Sequence, residues 1–397
     1  MDFDDVVIGS GMAALGVVLG LESRRRVLVL AGPAVGEYAY YDQRKTVPCA
    51  YLGAGGLGND WHGVIPTGLQ TNFGSATTAD FADLFARFYP NTDIQARLGK
   101  PWLFVPWHSI RPIAELTKLA RSRADRLQLM PELAKELHVR DSGVDVSTDS
   151  TTFRSRRVWI AAGALHTPTL LARSFGGRGL NRGLVSDHVL CYLGQVRHQP
   201  APEVTRTRDG MFVPAQYGAH KSGLYTRRPA RFAFRRLDHG IEQRAVFGMP
   251  TGNAVKKILR RMSPGLLAEA FYNRFGLFAS ADMYTVYAQV LVNDAYALQS
   301  GTELLRVRPD AIRSPTEAAR RNHPFDHLTP SGRPEIYIPG IHLHHSVDLE
   351  ALARVGLNEP ASPVQIVDAS VLSDIGPDHH TFKMLLAARA RARELTN

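Results

Sequence analysis

The sequence has few cysteines and no long apolar run. Of its 397 residues two are cysteine, Cys49 and Cys191, and neither lies in a CxxC pair or a zinc-ligand spacing. A disulfide framework and a zinc site are therefore not expected. No run of about 18 apolar residues occurs, so we expect no transmembrane helix. The first residues are acidic and lead directly into an apolar run, unlike a secretory leader, and we expect a cytoplasmic protein.

The composition is sufficient for a large hydrophobic core. Hydrophobic residues make up 44% of the chain, and a chain of this length predicts two structural domains rather than one. The formal net charge is +10, from 47 basic and 37 acidic residues. This excess indicates either an anionic substrate or surface, or a diffusely basic exterior, which we favour. We expect a small-molecule substrate and no nucleic-acid partner; the oligomeric state stays open.

The first thirty residues have the pattern of a βαβ unit. An apolar strand over 4–9 leads into Gly9-Ser-Gly11-Met-Ala-Ala14, a helix to about residue 23 and a second strand over 26–30. Gly9 permits the tight turn, Gly11 lets the backbone approach a pyrophosphate, and Ala14 keeps the helix close to the strand. The helix N-terminus would offer N–H groups to phosphates. The pattern predicts a dinucleotide site; the alternative is a tight turn without a ligand.

The second strand lacks the acidic residue that usually binds the adenosine ribose. Ala31 stands at this position, and Glu37 lies too far along the chain to replace the carboxylate. We therefore expect ribose recognition to come from the backbone, from water or from another residue.

The rest of the chain is interpreted from its periodicity. Residues 49–66 are glycine-rich and are interpreted as a loop, and 190–250 mix short strands with arginine and aromatic residues. Helices are expected over 80–89, 112–138 and about 381–394, and strands over 137–161, 284–292 and 303–308.

Five segments, in the right order, match motifs of one enzyme family. Gly55-Gly56-Leu-Gly-Asn-Asp-Trp61 is similar to a GG-(T/S)-S-x-x-W-G-G motif, and 161–171 is close to A-G-A-L-x-T-P-x-L-L. The other segments are Gly9 to Ala14, Ser186-Asp187-His188, and 365–371 followed by 376–381. On these motifs the chain resembles the glucose–methanol–choline (GMC) oxidoreductases, FAD enzymes that oxidise alcohols, sugars and sterols. It is closest in motif to the pyranose oxidase-like branch, in a shortened form.

The resemblance implies an α/β fold, α+β overall. An FAD-binding Rossmann-like domain over 1–70, 125–190 and 335–397 would be interleaved with a smaller antiparallel-sheet substrate domain over 71–124 and 191–334. Asp368 would accept hydrogen bonds from ribityl hydroxyls or backbone amides, and the last helix would direct its N-terminus at the flavin pyrimidine. The implied FAD contacts are Gly9, Gly11, Ala14, Gly55, Gly56, Asn59, Trp61, Ala162, Gly163, Asp368, His380 and Thr381.

The same resemblance implies that FAD is bound without a covalent link. In some members a histidine in the GG-x-S-x-H-W segment carries the flavin. Asp60 occupies that position here, and His62 is displaced by two residues.

Two groups of histidines are the candidate acid–base residues, since a neutral imidazole suits removal of a hydroxyl proton. Overlay on the family pattern places His342 as general base and His379 as its partner. His344 and His345 stand where the family usually has glycines, and Ser346 where it has threonine. The alternatives are that His344 or His345 replaces His342, or that these are ordinary surface or core histidines. No metal site is predicted, because no carboxylate has a familiar ligand spacing to them.

The sequence therefore predicts oxidation of an alcohol group of a sugar, polyol or natural product, by hydride transfer to flavin N5 with a histidine base. Two alternatives stay open: a flavoenzyme with non-alcohol chemistry such as desaturation, and a redox-inactive flavin-fold binding protein. The basic, apolar stretch 253–278 is predicted to cover the substrate entrance or to contact an anionic membrane; the alternative is an ordinary surface helix.

Overall fold

The computed structural model describes the following parts of the chain: 2–32, 37–40, 48–61, 64–66, 76–90, 102–104, 110–176, 179–196, 210–217, 220–227, 284–298, 305–323, 328–330, 337–340, 342–373, 375 and 380–396. The predicted lid or membrane segment 253–278 lies outside these residues, as do His62 and His379.

The strands and helices follow one another along the chain with these bounds. The strands are β1 (Phe3–Ile8), β2 (Val27–Leu30), β3 (Glu37–Tyr40), β4 (Pro48–Leu52), β5 (Val64–Pro66), β6 (Trp102–Phe104), β7 (Leu127–Met130), β8 (Glu136–Arg140), β9 (Gly143–Ser147), β10 (Thr152–Ile160), β11 (Leu184–Val196), β12 (Gly210–Tyr217), β13 (His220–Arg227), β14 (Tyr284–Leu298), β15 (Leu305–Val307), β16 (Thr329–Pro330), β17 (Tyr337–Pro339) and β18 (Val364–Ile366). The helices are α1 (Met12–Gly20), α2 (Thr78–Phe88), α3 (Pro112–Ser122), α4 (Gly163–Ser174), α5 (Pro309–Arg321), α6 (Leu349–Arg354) and α7 (Thr381–Thr396), with 3-10 helices at Gly56–Asp60 and Ala369–Val371.

The first sheet has a parallel centre. Its order is β7-β2-β1-β10-β9-β8, and β18 adds to β10. Strands β7, β2, β1, β10 and β18 run parallel, whereas β8 and β9 form an antiparallel extension of β10. The apolar residues of β1 and β2, such as Val7 and Val29, are fully buried, as central parallel strands require. The predicted strand–turn–helix–strand opening is confirmed.

The second sheet is antiparallel and has the order β12-β13-β14-β11-β16, with β15 on β14 and β17 on β11. The long strands β11 and β14 form its centre, and α5 buries Ile312 and Ala319 against them. The register between β11 and β14 shifts between Val185 and Asp187, which marks a β-bulge. A Rossmann-like parallel sheet beside an antiparallel sheet confirms the predicted fold class. The domain boundaries stay a prediction.

The helix predicted over 112–138 is wrong after its first turns. Helix α3 ends at Ser122, and β7 and β8 follow within the predicted span. Leu127 to Met130 pair in parallel with β2, so tertiary pairing decides their conformation. Pro131 was a local signal against the prediction, because proline interrupts a helix interior. The interpretation of 49–66 as a loop is also wrong in part, since β4, a 3-10 helix and β5 lie there.

Helix α7 packs on α1 with almost no space between the two backbones. A Cβ at Gly16 would overlap the carbonyl oxygen of Leu385, and a Cβ at Gly20 would overlap that of Arg389. Arg389 also forms an ion pair with Asp83 of α2, and this hydrogen bond lowers the pKa of the Asp83 carboxyl. The last helix is therefore fixed against both α1 and α2.

Within the described segments, no helix combines the length and apolar character needed to cross a membrane.

Candidate active site

The carboxyl ends of the parallel strands meet at one edge of the first sheet. The register aligns Ile8 with Leu30 on β2 and with Ile160 on β10, which in turn aligns with Ile366 on β18. The chain after each strand therefore reaches the same edge, where ligands of open parallel sheets bind. Most of the predicted cofactor residues follow these strand ends or lie beside them.

The glycine-rich turn after β1 has the features expected of an anion site. A Cβ at Gly9 would overlap the carbonyl oxygen of Ala161, so only glycine fits between β1 and the end of β10. Gly11 is the N-cap of α1, with no capping side chain and no acidic residue in the first turn. The N–H groups and positive dipole end of α1 are thus available to a phosphate. Ala14 is fully buried, which keeps α1 close to the sheet.

Ser10 connects three parts of this edge and was missed by the sequence reasoning. Its Oγ donates to the carbonyl oxygen of Ala31 at 3.1 Å and accepts from the amide of Gly55 at 2.8 Å. The side chain is 4% exposed. Ser10 therefore fixes the turn against both the end of β2 and the glycine-rich segment. The available signal was a polar side chain directly after the apolar strand, between Gly9 and Gly11.

The segment 53–61 lies beside this turn. A Cβ at Gly11 would lie 3.7 Å from the carbonyl oxygen of Gly55, and Asn59 Nδ2 donates to the carbonyl oxygen of Ala54 at 2.7 Å. Trp61 is buried and stacks with Phe382 of α7, with ring centroids 6.4 Å apart. Gly55, Asn59 and Trp61 are thus placed between the N-termini of α1 and α7.

Asp368 holds the N-terminus of α4 from a distant part of the sequence. Its Oδ2 accepts from the amide of Gly163 at 2.8 Å and from Thr167 Oγ1 at 2.6 Å, and its Oδ1 accepts from the amide of Ser370 at 2.9 Å. Ala162 is the N-cap of α4. Of the two roles predicted for this carboxylate, the structure shows acceptance from backbone amides. The positive end of the α4 dipole also stabilises the negative charge of this carboxylate.

The end of β2 has an acidic residue next to its backbone, Glu132, that the sequence reasoning did not consider. The amide of Gly32 donates to the carbonyl oxygen of Glu132 at 3.0 Å, so Glu132 lies next to the position where Ala31 replaces the usual acid. Its Oε1 accepts from Ser150 at 2.7 Å, and the hydrogen bond from Thr148 is the largest cause that lowers the pKa of its carboxyl. Glu132 could have been found from its position just after strand β7, but the helix predicted over 112–138 hid that strand.

A cluster of four histidines lies where the two sheets meet; we call it the histidine cluster. It consists of His188, His342, His344 and His380. The ring centroids of His188 and His342 are 5.3 Å apart, and those of His342 and His380 are 5.1 Å apart, both edge-on. His344 lies 6.4 Å from both His188 and His380. The His188, His344 and His380 side chains are buried.

Asp187 fixes the backbone of the cluster. Its Oδ1 accepts from the amide of His342 at 2.7 Å, and its Oδ2 accepts from the Tyr296 hydroxyl at 2.9 Å. His344 forms a bridge with Ser186, and its Nδ1 is 2.8 Å from the carbonyl oxygen of His342. The extra residues of β14 opposite Ser186, together with the bridge between Ser186 and His344, place Asp187 and His188 against the loop that carries His342.

The structure brings together part of the predicted acid–base pair. His342 is in the cluster, and His379 lies outside the described residues. His380 is the residue whose carbonyl oxygen accepts the first hydrogen bond of α7, from Met384 at 2.7 Å, and Thr381 begins the helix. Over the described segments, no group of three or more potential ligands is arranged to hold a metal ion.

His345 has a backbone conformation that favours glycine, the residue that the family pattern usually has at this position. Its φ is +54°, in the left-handed region that costs a residue with a Cβ about 1–2 kcal/mol. The carbonyl oxygen of His345 accepts from Arg182 at 2.6 Å, which holds this conformation. Burial lowers the pKa of the His345 imidazole. The overlay that placed His344 and His345 at glycine positions is thus consistent with the backbone at His345.

We expect His345→Gly to stabilise the protein by about 1 kcal/mol. It removes the left-handed strain of about 1–2 kcal/mol and costs about 0.4–1 kcal/mol in chain entropy. His345→Ala is the matched control, because it removes the imidazole and keeps the strain. Urea unfolding of both variants measures the difference. A His345→Gly protein no more stable than His345→Ala would show that the strain is smaller than expected and does not exceed the entropy cost of glycine.

Comparison with known proteins supports the fold. No protein-family model matches the chain, and no curated protein matches its sequence. Among solved structures, pyridoxine 4-oxidase from Mesorbium loti matches with a TM-score of 0.55 and 13% identity over 99% of this chain and 99% of that chain. An FAD-dependent oxidoreductase from Chaetomium thermophilum matches with a TM-score of 0.51 and 12% identity over 98% of each chain. The chain has the fold of these flavoenzymes, and the predicted resemblance to the GMC oxidoreductases is confirmed at the level of the fold.

Proposed function

We propose that the chain is an FAD-dependent oxidoreductase that oxidises an alcohol group of a small molecule, such as a sugar, a polyol or a natural product. The observation that carries this proposal is a buried histidine cluster, with His342 in it, next to the sheet edge that has the features of a dinucleotide site. The shared fold with pyridoxine 4-oxidase supports it.

The residues at this edge fit FAD. The open N-terminus of α1 would hold the pyrophosphate. A Cβ at Gly56 or at Gly163 would meet no described atom within 4 Å, so the backbone there borders open space. Trp61 Nε1 is buried and has no hydrogen-bond partner among the described residues. These glycines and this donor would line the flavin, and the N-terminus of α7 would face its pyrimidine ring.

The histidine cluster would handle the proton of the substrate. The chemistry that FAD supplies when bound is acceptance of a hydride from the alcohol carbon at flavin N5. His342 would accept the hydroxyl proton as this C–H bond breaks, because a neutral imidazole is basic near physiological pH. Asp187 would hold His342 in place through its backbone amide. His379 remains the proposed partner at the substrate oxygen, and the neighbouring His380 packs against the His342 ring.

Bound FAD is expected to be non-covalent. Asp60 occupies the position of the linking histidine, and a carboxylate does not form that bond. Acid precipitation of the purified protein should release the yellow colour into the supernatant. Colour that stays with the pellet would contradict non-covalent binding, and a colourless protein that takes up no added FAD would contradict the cofactor itself.

Anaerobic mixing with a panel of sugars, polyols and aromatic alcohols tests the reaction. We expect at least one of these alcohols to bleach the flavin absorbance, and the matching aldehyde or ketone to form in equal amount. Alkanes and acyl compounds without a hydroxyl group are the negative controls. Bleaching only by compounds that yield an alkene would support desaturation instead, and a flavin reduced by dithionite but by no substrate would favour a redox-inactive binding protein.

A further inference from the structure

We propose that His188 is a positioning residue for His342, and that Gln289 holds it neutral with its proton on Nε2. This inference rests on the proposed function, in which His342 is the base. His188 lies on β11 and Gln289 on β14, and the Gln289 Nε2 is 3.1 Å from the His188 Nδ1. Both side chains are buried, at 0% and 3% exposure.

The sheet register places the two side chains on the same face. Gln289 pairs directly with Leu190, and His188 is two residues before Leu190 on the same strand. Such diagonal neighbours are within reach of long side chains. The backbone of His188 is also fixed from the other side, where the Gly340 amide donates to its carbonyl oxygen at 2.6 Å. The imidazole of His188 is therefore held by two neighbouring segments before any substrate enters.

The amide of Gln289 decides the protonation of His188. An amide nitrogen only donates hydrogen bonds, so His188 Nδ1 must accept, and the proton of the neutral ring lies on Nε2. Protonation of Nδ1 would place two donors against each other in a buried site, which is unfavourable. Gln289 therefore opposes the imidazolium form of His188.

A neutral His188 matters because its ring centroid is only 5.3 Å from that of His342. A positive charge at this distance would oppose protonation of His342 and weaken it as a base. Among the described residues, the titratable groups that face this pair are Asp187 on β11, Tyr296 on β14, His344 beside His342 and His380 at the start of α7. All four are buried, and Asp187 is the carboxylate among them. Gln289 is thus the group that keeps His188 neutral despite the nearby carboxylate.

The test measures the tautomer directly and then its effect on the reaction. Long-range ¹⁵N–¹H NMR of ¹⁵N-histidine-labelled FAD-loaded protein should show His188 neutral with its proton on Nε2 between about pH 6 and 8, near the unperturbed titration range of histidine. His188→Gln assigns the signal. This measurement needs no substrate, so it is independent of whether alcohols reduce the flavin. A His188 that is positively charged, or protonated on Nδ1, would overturn the proposal.

Two variants of Gln289 then connect the tautomer to His342. Gln289→Glu replaces the donor with an acceptor and should therefore place a proton on His188 Nδ1. We expect this variant to displace the pH profile of flavin reduction and to slow reduction about 10-fold or more. Its KM and its affinity for FAD should be unchanged. Gln289→Met has a similar shape but no donor, and should give a smaller loss. Gln128→Glu, at an exposed position of β7, is the matched control.

The outcomes separate positioning from a packing role. Equal losses in the Glu and Met variants with an unchanged pH profile would show that Gln289 only fills space, and would contradict the proposal. If no alcohol reduces the wild-type flavin, the proposed function fails while the tautomer measurement still decides the state of His188. If Gln289→Glu does not fold, Gln289→Met and the wild-type spectrum together still give a decision.

Discussion

Replacing His342 with alanine should slow the reduction of bound flavin by an alcohol about 10²- to 10⁴-fold, the usual contribution of general acid–base catalysis. This corresponds to about 3–5 kcal/mol of transition-state stabilisation. FAD should stay bound, because the predicted cofactor contacts lie at the strand ends and not on His342. His379→Ala should have a similar effect if the two histidines act together, and the double variant should be little worse than the worse single variant. Anaerobic stopped-flow absorbance measures all three.

The controls for this prediction locate the base. His138→Ala removes a histidine with 46% side-chain exposure on β8, far along the sheet from the cluster, and should reduce flavin at the wild-type rate. His344→Ala should be milder than His342→Ala, since the family overlay places it at a glycine position. A large loss in His344→Ala alone would move the base two residues along the loop. Near wild-type rates in both His342→Ala and His379→Ala would contradict the mechanism.

Gly16→Val and Gly20→Val should each destabilise the protein by about 3 kcal/mol or more. Overpacking a well-packed core usually costs about 1–3 kcal/mol, and here the added atoms would overlap backbone oxygens of α7 that have little freedom to move. Because proteins of this kind are stable by only about 5–15 kcal/mol, the double variant should not fold. Thermal unfolding of the soluble single variants measures the effect, and recovery only in the insoluble fraction would agree with it.

Ala353→Val on α6 is the matched control for both glycine variants. It also enlarges a small helical residue, but position 353 is exposed, so the change should cost well under 1 kcal/mol. Unchanged thermal stability in Gly16→Val would show that α1 and α7 are not in close contact.

The sequence predicted those strands, turns and helices whose conformation is determined by residues close together in the chain. The strand, the turn at Gly9 and helix α1 form from adjacent residues, and the sequence therefore predicted them well. Strand β7 was missed because Leu127 to Met130 take their conformation from the neighbouring β2, which lies about a hundred residues earlier in the chain. The role of Gly16 and Gly20 was missed for the same reason, since their contact is with α7.

The candidate site residues that belong to a sequence motif could be proposed from the sequence. Those that are brought together only by the fold were missed. The motifs led to Gly9, Gly163, Asp368 and His342. Ser10 was missed because its importance comes from two partners distant in sequence. Ser186-Asp187-His188 was noticed as a motif, but its position next to His342 depends on an irregularity opposite Ser186, where β14 carries extra residues, and no local pattern indicated it.

The contact between α1 and α7 also has a consequence for biosynthesis. The parallel sheet needs β18, and α1 needs α7 against its glycines, so the cofactor edge is completed by residues that lie far apart in the sequence. Contacts at such long separation form late and slowly. On the ribosome, β1, α1 and β2 would emerge early with their apolar faces uncovered, and they would stay so until 364–396 had been made. The nascent chain should therefore depend on chaperones until 364–396 have left the ribosome, and FAD should bind only after that point.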